Sequence, residues 1–172
     1  KQEGRIEGYH GAQVGVATIA VSSLYEYLEN LSPEDIKIDD ILKNRPNRKD
    51  FKQEITRYFR ANADSVSSEF FKKCYTNSQL KKELLSIREN WYDIWNMLNP
   101  NLRSSRQIRD ILKTAGCPVT VQELGLTPDH LKRSLLAARY VRNRYTVLDF
   151  ASNLGILQKA CKTVIYNSGC LN

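Results

Sequence analysis

The sequence of 172 residues lacks any long apolar run. No stretch approaches the roughly 20 apolar residues that a membrane-spanning helix needs. The first residues, Lys1 to Glu7, are mostly charged, whereas an export signal has a short basic region followed by an apolar stretch. These absences predict a soluble, unexported and cytoplasmic chain with no membrane partner.

Cysteine pairs at metal-binding spacing are also missing. The four cysteines form neither a CxxC pair nor a second cluster with the spacing of a structural zinc site; they are Cys74, Cys117, Cys161 and Cys170. We therefore expect free thiols in a reducing compartment. No glycine-rich turn follows a strand-like segment either, which leaves nothing in the chain to cradle the pyrophosphate of a dinucleotide.

What the sequence does contain is ordinary for a globular protein. Hydrophobic residues make up 41% and charged residues 26%, at a length usual for one domain, so we expect residues 1–172 to form a single domain with a real core. The net charge is +7. Such a basic surplus attracts nucleic acid, anionic membrane or phosphorylated small molecules, and by itself it does not choose among them.

Apolar residues recur at helical spacing along most of the chain. The first such segment runs from His10 to about Leu28, and His10 heads its apolar stripe. Three- and four-residue steps are typical of a helix with one buried face. The predicted buried residues of this helix are Val14, Ala17, Val21, Leu24 and Leu28.

Start signals and periodicity predict further helices. A hydroxyl residue, a proline and an acid follow one another at Ser32 and again at Thr127, which is typical of a helix start. One long helix is predicted from Asn77 to Leu98, and a last one from Leu157 to Tyr166. The only short β-branched and aromatic stretch, YTVL, is too brief to support a sheet. We therefore predict an all-α protein of eight to ten helices.

Two distant segments resemble one enzyme family. The first is YHGAQVGVAT (Tyr9 to Thr18), and the second, Ala115 to Leu157, contains AGCP, ELG and RYTVLD. The first is similar to the His-Gly-x-Gln-Val-Gly helix start of sn-glycerol-1-phosphate dehydrogenases and, more loosely, of 3-dehydroquinate synthases and iron-dependent alcohol dehydrogenases. The second is similar to the Ala-Gly-x-Pro, Glu-Leu-Gly and Arg-Tyr-Thr-x-Leu-Asp stretches of the bacterial glycerol-1-phosphate enzymes. Order and spacing both agree.

The resemblance implies the multi-helix C-terminal domain of the dehydroquinate synthase-like fold. In that family an N-terminal α/β half holds NAD(P)H, and the helical half completes the metal and substrate site. The chain would then be a fragment that lacks the nucleotide-binding domain. By this resemblance His10 is one ligand of a catalytic divalent metal, zinc or nickel, whose other ligands, an aspartate and a histidine, lie upstream. No residue of the chain is predicted to be catalytic itself.

The implied substrate, dihydroxyacetone phosphate or sn-glycerol 1-phosphate, carries a phosphate group. Three arginines stand within six residues, and a guanidinium can donate two parallel hydrogen bonds to phosphate. We predict a phosphate contact from Arg142 or Arg144, with Arg139 and Arg142 on one helix face. Alternatively, these arginines complement the dipole at a helix C-terminus.

Two glycines four residues apart lie in the first predicted helix. A helical glycine costs roughly 1 kcal/mol relative to alanine, so Gly11 and Gly15 indicate close approach by another backbone, by a ligand or by a tightly packed helix. Gln13 either orients a ligand or water, or is solvated.

The leading hypothesis is that the full protein reduces dihydroxyacetone phosphate to sn-glycerol 1-phosphate with NAD(P)H, the fragment alone being inactive. One alternative is a 3-dehydroquinate synthase-like domain, which typically carries paired lysines where this chain has VRNRYTVLD. Another is a basic helical module that binds nucleic acid or protein. We do not expect nucleic acid, because no recognition helix with helix-turn-helix spacing is evident. The resemblance implies a homodimer.

Overall fold

Helices make up most of the chain in the computed structural model, which describes residues 10–171. Within this range there are no strands. The α-helices are α1 (His10–Glu29), α2 (Ile38–Asn44), α3 (Arg48–Phe59), α4 (Ala63–Phe71), α5 (Asn77–Glu89), α6 (Trp91–Leu98), α7 (Ser105–Thr114), α8 (Pro128–Ala138), α9 (Val147–Asn153) and α10 (Leu157–Asn167). Short 3-10 turns occupy Pro33–Asp35, Arg60–Asn62 and Asn99–Asn101. The all-α prediction is confirmed. No helix of residues 10–171 is long and apolar enough to cross a membrane.

The buried face of α1 is displaced from the predicted one. Val14 is 48% exposed and Ala17 and Val21 are only half-buried, whereas Val16 and Ile19 are almost completely buried. Leu24 and Leu28 are buried as predicted; the other buried residues of the helix are Gly15, Ala20 and Ser23. Because α1 is apolar on several sides, its spacing fits more than one stripe. The prediction that His10 heads the buried stripe is wrong, since His10 is exposed.

The predicted long middle helix is interrupted at Asn90. The first part, α5, ends at Glu89, and α6 begins at Trp91. The side-chain amide of Asn90 donates to the carbonyl oxygen of Ser86 at 2.8 Å, which the backbone N–H of Asn90 also contacts at 3.0 Å. Asparagine weakens a helix in this way because its side chain competes for backbone partners.

The helix predicted to start at Ser32 is shorter than its start signal indicates. Only the 3-10 turn Pro33–Asp35 follows Ser32, and α2 begins at Ile38. Ile36 leaves helical geometry, with ψ at 87°, while its side chain and that of Ile38 are buried. The start at Thr127 is confirmed, because the Thr127 hydroxyl oxygen accepts the backbone N–H of His130 at 3.2 Å.

Two hydrophobic clusters hold the helices together. The main cluster surrounds α1 and includes Trp91 and Trp95, whose ring centroids are 5.8 Å apart. A smaller cluster beneath α3 and α4 comprises Phe51, Ile55, Ala63, Phe70 and Tyr140. Both tryptophans are buried and pack within the main cluster.

Removal of the Trp91 side chain should be costly. It is 2% exposed and stacks on Phe150, with ring centroids 6.3 Å apart. Trp91→Ala is expected to lower the free energy of unfolding by about 3 to 5 kcal/mol, measured by urea denaturation followed by circular dichroism. The matched control is Tyr92→Ala, since Tyr92 is 68% exposed. An equal loss of the free energy of unfolding in the two variants would contradict the role of Trp91 in the core.

The four cysteines are free thiols in the structure, as predicted. Cys161 and Cys170 are buried, whereas Cys117 is exposed. Burial raises the pKa of the Cys161 thiol to about 11 and raises that of Cys170 as well. Because the thiolate is the reactive form, these two thiols serve packing.

Candidate functional site

His10 lies at the very start of α1 and its side chain is exposed. Apart from its chain neighbours and the backbone of its own helix, a Cβ built on the next residue, Gly11, would meet no atom of the described chain within 4 Å. The first turn of α1 therefore presents an imidazole beside open space on the surface. This arrangement allows another protein segment or a ligand to approach His10 without displacing any part of residues 10–171.

Gly15 has a packing role. It is buried, and a Cβ at this position would lie 3.3 Å from the Leu112 Cδ1 atom and 3.9 Å from the Pro118 carbonyl oxygen. The absence of a side chain thus lets α7 and the segment after it approach α1 closely. Of the alternatives for the two glycines, tight helix packing accounts for Gly15, whereas no packing contact of the described residues accounts for Gly11.

The described residues do not form a complete metal site. Residues 10–171 contain no group of three or more histidine, cysteine, aspartate or glutamate side chains placed to hold a metal ion. A catalytic zinc usually takes three protein ligands. His10 can supply one nitrogen ligand, and a metal at His10 would need its remaining ligands from outside this range.

The predicted phosphate-binding arginines lie in a loop. Helix α8 ends at Ala138, so the prediction that Arg139 and Arg142 share a helix face is wrong. Arg142 and Arg144 are both exposed, in the segment that leads to α9. The carbonyl oxygen of Arg144 accepts a hydrogen bond of 3.0 Å from the Lys73 ammonium group. Because α8 ends at Ala138, Arg142 and Arg144 lie beyond its last turn and do not complement its C-terminal dipole.

Arg139 points inward and belongs to a buried ionic cluster. The Asp149 carboxylate lies 2.8 Å from the Lys73 Nζ atom and 3.6 Å from the Arg139 Nε atom. The side chains of Lys73, Arg139 and Asp149 are only 8%, 8% and 5% exposed. Asp149 also accepts the backbone N–H of Thr146 at 2.9 Å and its hydroxyl at 3.0 Å, which caps α9. Such a cluster of three charges, nearly free of solvent, fixes the α8–α9 loop against the turn that follows α4.

Sequence reasoning missed this cluster. Its visible signal was Thr-x-x-Asp (Thr146 to Asp149), a capping pattern at the start of a short helix. The pattern indicates a cap and gives no indication of the contact with Lys73, which lies 76 residues away.

A cleft of about 420 Å³ opens beside the buried ionic cluster. Arg139 and Tyr140 line one wall, and Arg45, from the loop between α2 and α3, lies at another. The Tyr140 hydroxyl donates to Glu54 at 2.6 Å. Burial, together with this carboxylate, raises the pKa of Tyr140, so the phenol stays protonated at neutral pH. The cleft therefore combines cationic, acidic and hydroxyl groups.

The structure does not bring His10 and the α8–α9 loop together. Tyr145 and Tyr25 line the same small apolar pocket, of about 230 Å³, near the end of α1. His10 lies 15 residues before Tyr25 on one continuous helix, or about 22 Å at 1.5 Å per residue. A triose phosphate is much shorter than this separation.

Comparison with known proteins gives one partial similarity. The chain is 43% identical over 58 residues to a glycerol-1-phosphate dehydrogenase [NAD(P)+] of Thermofilum pendens. This match covers 33% of the chain and 17% of the length of that enzyme. No protein-family model matches the chain, and no solved structure does. The chain thus shares a segment with an NAD(P)-dependent dehydrogenase.

Proposed function

We propose that the chain is the helical metal- and substrate-binding part of an NAD(P)- and metal-dependent sn-glycerol-1-phosphate dehydrogenase of the bacterial type. In the full protein it would take part in reducing dihydroxyacetone phosphate to sn-glycerol 1-phosphate. The observation that carries the family part of this proposal is the 43% identity over 58 residues to a glycerol-1-phosphate dehydrogenase [NAD(P)+]. The exposed His10, followed by Gly-Ala-Gln-Val-Gly at the start of α1, supports it.

His10 is proposed as one ligand of a divalent metal, zinc or nickel, shared with residues outside 10–171. A bound divalent metal supplies Lewis acidity toward a carbonyl oxygen. The chain's own contribution is to hold the imidazole at a fixed helix end, which α1 anchors through its buried Val16 and Ile19. Rigid placement of a ligand on a helix favours a defined metal geometry.

The nicotinamide cofactor is proposed to bind mainly to an α/β half of the full protein. Residues 10–171 contain no strand, so they offer no strand followed by a glycine-rich turn to hold a pyrophosphate. The proposal also includes a cytoplasmic location and a homodimer, both implied by the resemblance to the family.

Arg142→Ala in the full-length protein tests the predicted phosphate contact. Because about 22 Å of helix α1 separates His10 from the vicinity of this loop, we expect the KM for dihydroxyacetone phosphate to stay unchanged. Steady-state kinetics with varied dihydroxyacetone phosphate measures it. A rise of about tenfold or more would instead support a phosphate contact from Arg142, since a hydrogen bond to a charged group contributes about that much.

The proposed reaction is tested by supplying the full-length gene product with dihydroxyacetone phosphate and either NADH or NADPH. We expect oxidation of the cofactor and formation of sn-glycerol 1-phosphate, identified by its stereochemistry. Formation of 3-dehydroquinate from the substrate of 3-dehydroquinate synthases would favour the alternative enzyme. Salt-dependent DNA binding without either activity would favour the basic binding module.

A further inference from the structure

The cleft beside Arg139 adjoins a buried excess of positive charge. Lys73 and Arg139 are both more than nine-tenths buried, and one carboxylate of similar burial, Asp149, faces them. Lys73 is well neutralised, at 2.8 Å from Asp149, whereas Arg139 reaches the same carboxylate only at 3.6 Å. A buried charge is costly unless it is paired and hydrogen-bonded. Arg139 therefore has capacity for a further anionic partner.

The hydrogen-bond donors of Arg139 support this view. Its Nε atom is buried and makes no hydrogen bond to any residue from 10 to 171. The guanidinium carbon lies 5.1 Å from the ring centroids of Phe70 and Tyr140, so aromatic faces hold the group in place. A guanidinium has five N–H donors. Within the described residues the Arg139 guanidinium makes no hydrogen bond, and the side chain lines the cleft.

Arg45 contributes a second cation from another wall of the cleft. It donates to the Asn77 side-chain oxygen at 2.9 Å and to the carbonyl oxygen of Tyr75. These acceptors are neutral, so they hold the guanidinium in place without cancelling its charge. Two arginines from different elements thus line one cavity, an arrangement suited to a multidentate oxyanion.

The rest of the cleft lining favours a hydroxylated ligand. Glu54 and Asp40 line it as well, and their carboxylates repel an anion placed directly against them but accept hydrogen bonds from hydroxyl groups. Asn153 and Gln158 add amide groups that can donate or accept. The volume of about 420 Å³ is within the range of small-molecule sites.

We propose that this cleft binds the oxyanion of a small hydroxylated metabolite, either a phosphate monoester or a carboxylate. Arg139 and Arg45 contact the oxyanion, while Glu54, Asp40 and the two amides contact hydroxyl groups of the ligand. The ligand supplies Arg139 with the hydrogen-bond acceptor that the protein itself does not provide.

The cleft is remote from His10, so this inference does not rest on the proposed dehydrogenase function. Gln158, in the first turn of α10, lines the cleft. Past the other end of α10, the Cys170 thiol donates to the carbonyl oxygen of Val16, on α1, at 3.8 Å. The intervening helix of 11 residues is about 16 Å long. His10 lies six residues before Val16, a further distance of about 9 Å along α1.

Calorimetric titration of the full chain tests the proposal. The probes are inorganic phosphate, sn-glycerol 1-phosphate and glycerate, with glycerol as the uncharged control. We expect at least one anionic probe to bind, and Arg45→Met to weaken its binding about tenfold or more, because a hydrogen bond between charged groups is lost. The matched control is Arg88→Met, on an exposed position of α5 outside the cleft. Tighter binding of glycerate than of glycerol phosphate would identify the oxyanion of the ligand as a carboxylate. Tighter binding of glycerol phosphate would identify it as a phosphate monoester.

A second measurement, made on the wild-type chain, tests the proposal even if the variants do not fold. In the wild-type chain, we expect the side-chain amide resonances of Asn153 and Gln158 to shift as the anionic probe is added. Arg139→Lys should retain the ion pair with Asp149 and still weaken probe binding, because it loses the planar fork. The proposal is overturned by absence of binding and of resonance shifts at about 10 mM of every anionic probe. Equal affinity in the wild type and Arg45→Met would overturn it as well.

Discussion

Asp149→Ala is expected to destabilise the chain more than removal of either cation, Lys73 or Arg139, from the ionic cluster. The carboxylate faces Lys73 at 2.8 Å and Arg139 at 3.6 Å in surroundings almost free of solvent. Removing it leaves two buried cations without an anion, a change that costs about 3 to 5 kcal/mol. Loss of the Thr146 contacts that cap α9 adds about 1 kcal/mol.

The chain offers a matched control for this prediction. Lys52 and Asp64 form an ion pair of 3.4 Å whose side chains are 61% and 91% exposed. Asp64→Ala should therefore cost under about 1 kcal/mol, since solvent screens exposed pairs. Urea denaturation of both variants gives the two free energies of unfolding. If Asp149→Ala costs no more than Asp64→Ala, the cluster does not stabilise the α8–α9 loop.

His10→Ala is expected to lower turnover of dihydroxyacetone phosphate by the full-length protein at least about 100-fold. Loss of a residue that merely orients a metal ligand already costs 10- to 100-fold, so loss of a ligand itself should cost no less. Because His10 is exposed, the free energy of unfolding should change by less than about 0.5 kcal/mol. The defect would then be one of function and not of folding.

The second histidine of the chain provides the control for this variant. His130 lies in the first turn of α8 and is half-buried. His130→Ala should retain near-normal turnover, measured in the same coupled assay of cofactor oxidation. Near-normal turnover in His10→Ala, or an equal defect in the two variants, would contradict the role proposed for His10.

Local sequence signals predicted most of the helices because they act within one or two turns. Hydroxyl residues such as Thr127 cap helices through the backbone a few residues away, and the spacing of Leu80 and Leu84 places both on one buried face. The break at Asn90 was not predictable from periodicity, since apolar spacing continues through it to Trp91 and Trp95.

The ionic cluster and the cleft depend on contacts between distant segments. Lys73 meets Asp149 across 76 residues, and Arg45 reaches the segment before α5 across about 30 residues. No local pattern encodes such pairings. The sequence predicted that Arg139 and Arg142 share a helix face and that Arg142 or Arg144 contacts phosphate. The structure separates them, because α8 ends at Ala138 and the inward-facing Arg139 is followed by exposed loop residues.

His10 illustrates the opposite case, in which the sequence context is more informative than the fold. A histidine at an exposed helix start has no distinguishing geometry, and the described residues supply no metal-binding cluster around it. Its proposed role comes from the residues that follow it and from their resemblance to a dehydrogenase motif. The structure contributes the open space at Gly11, which leaves room for the rest of a shared site.

Metal content tests the central claim most directly. The full-length protein, purified without chelator, is analysed by elemental mass spectrometry as wild type, His10→Ala and His130→Ala. We predict about one divalent ion per chain in the wild type and in His130→Ala, and a loss of most of it in His10→Ala. A wild-type protein that contains no divalent metal, or a His10→Ala protein that retains the wild-type amount, would contradict the assignment of His10.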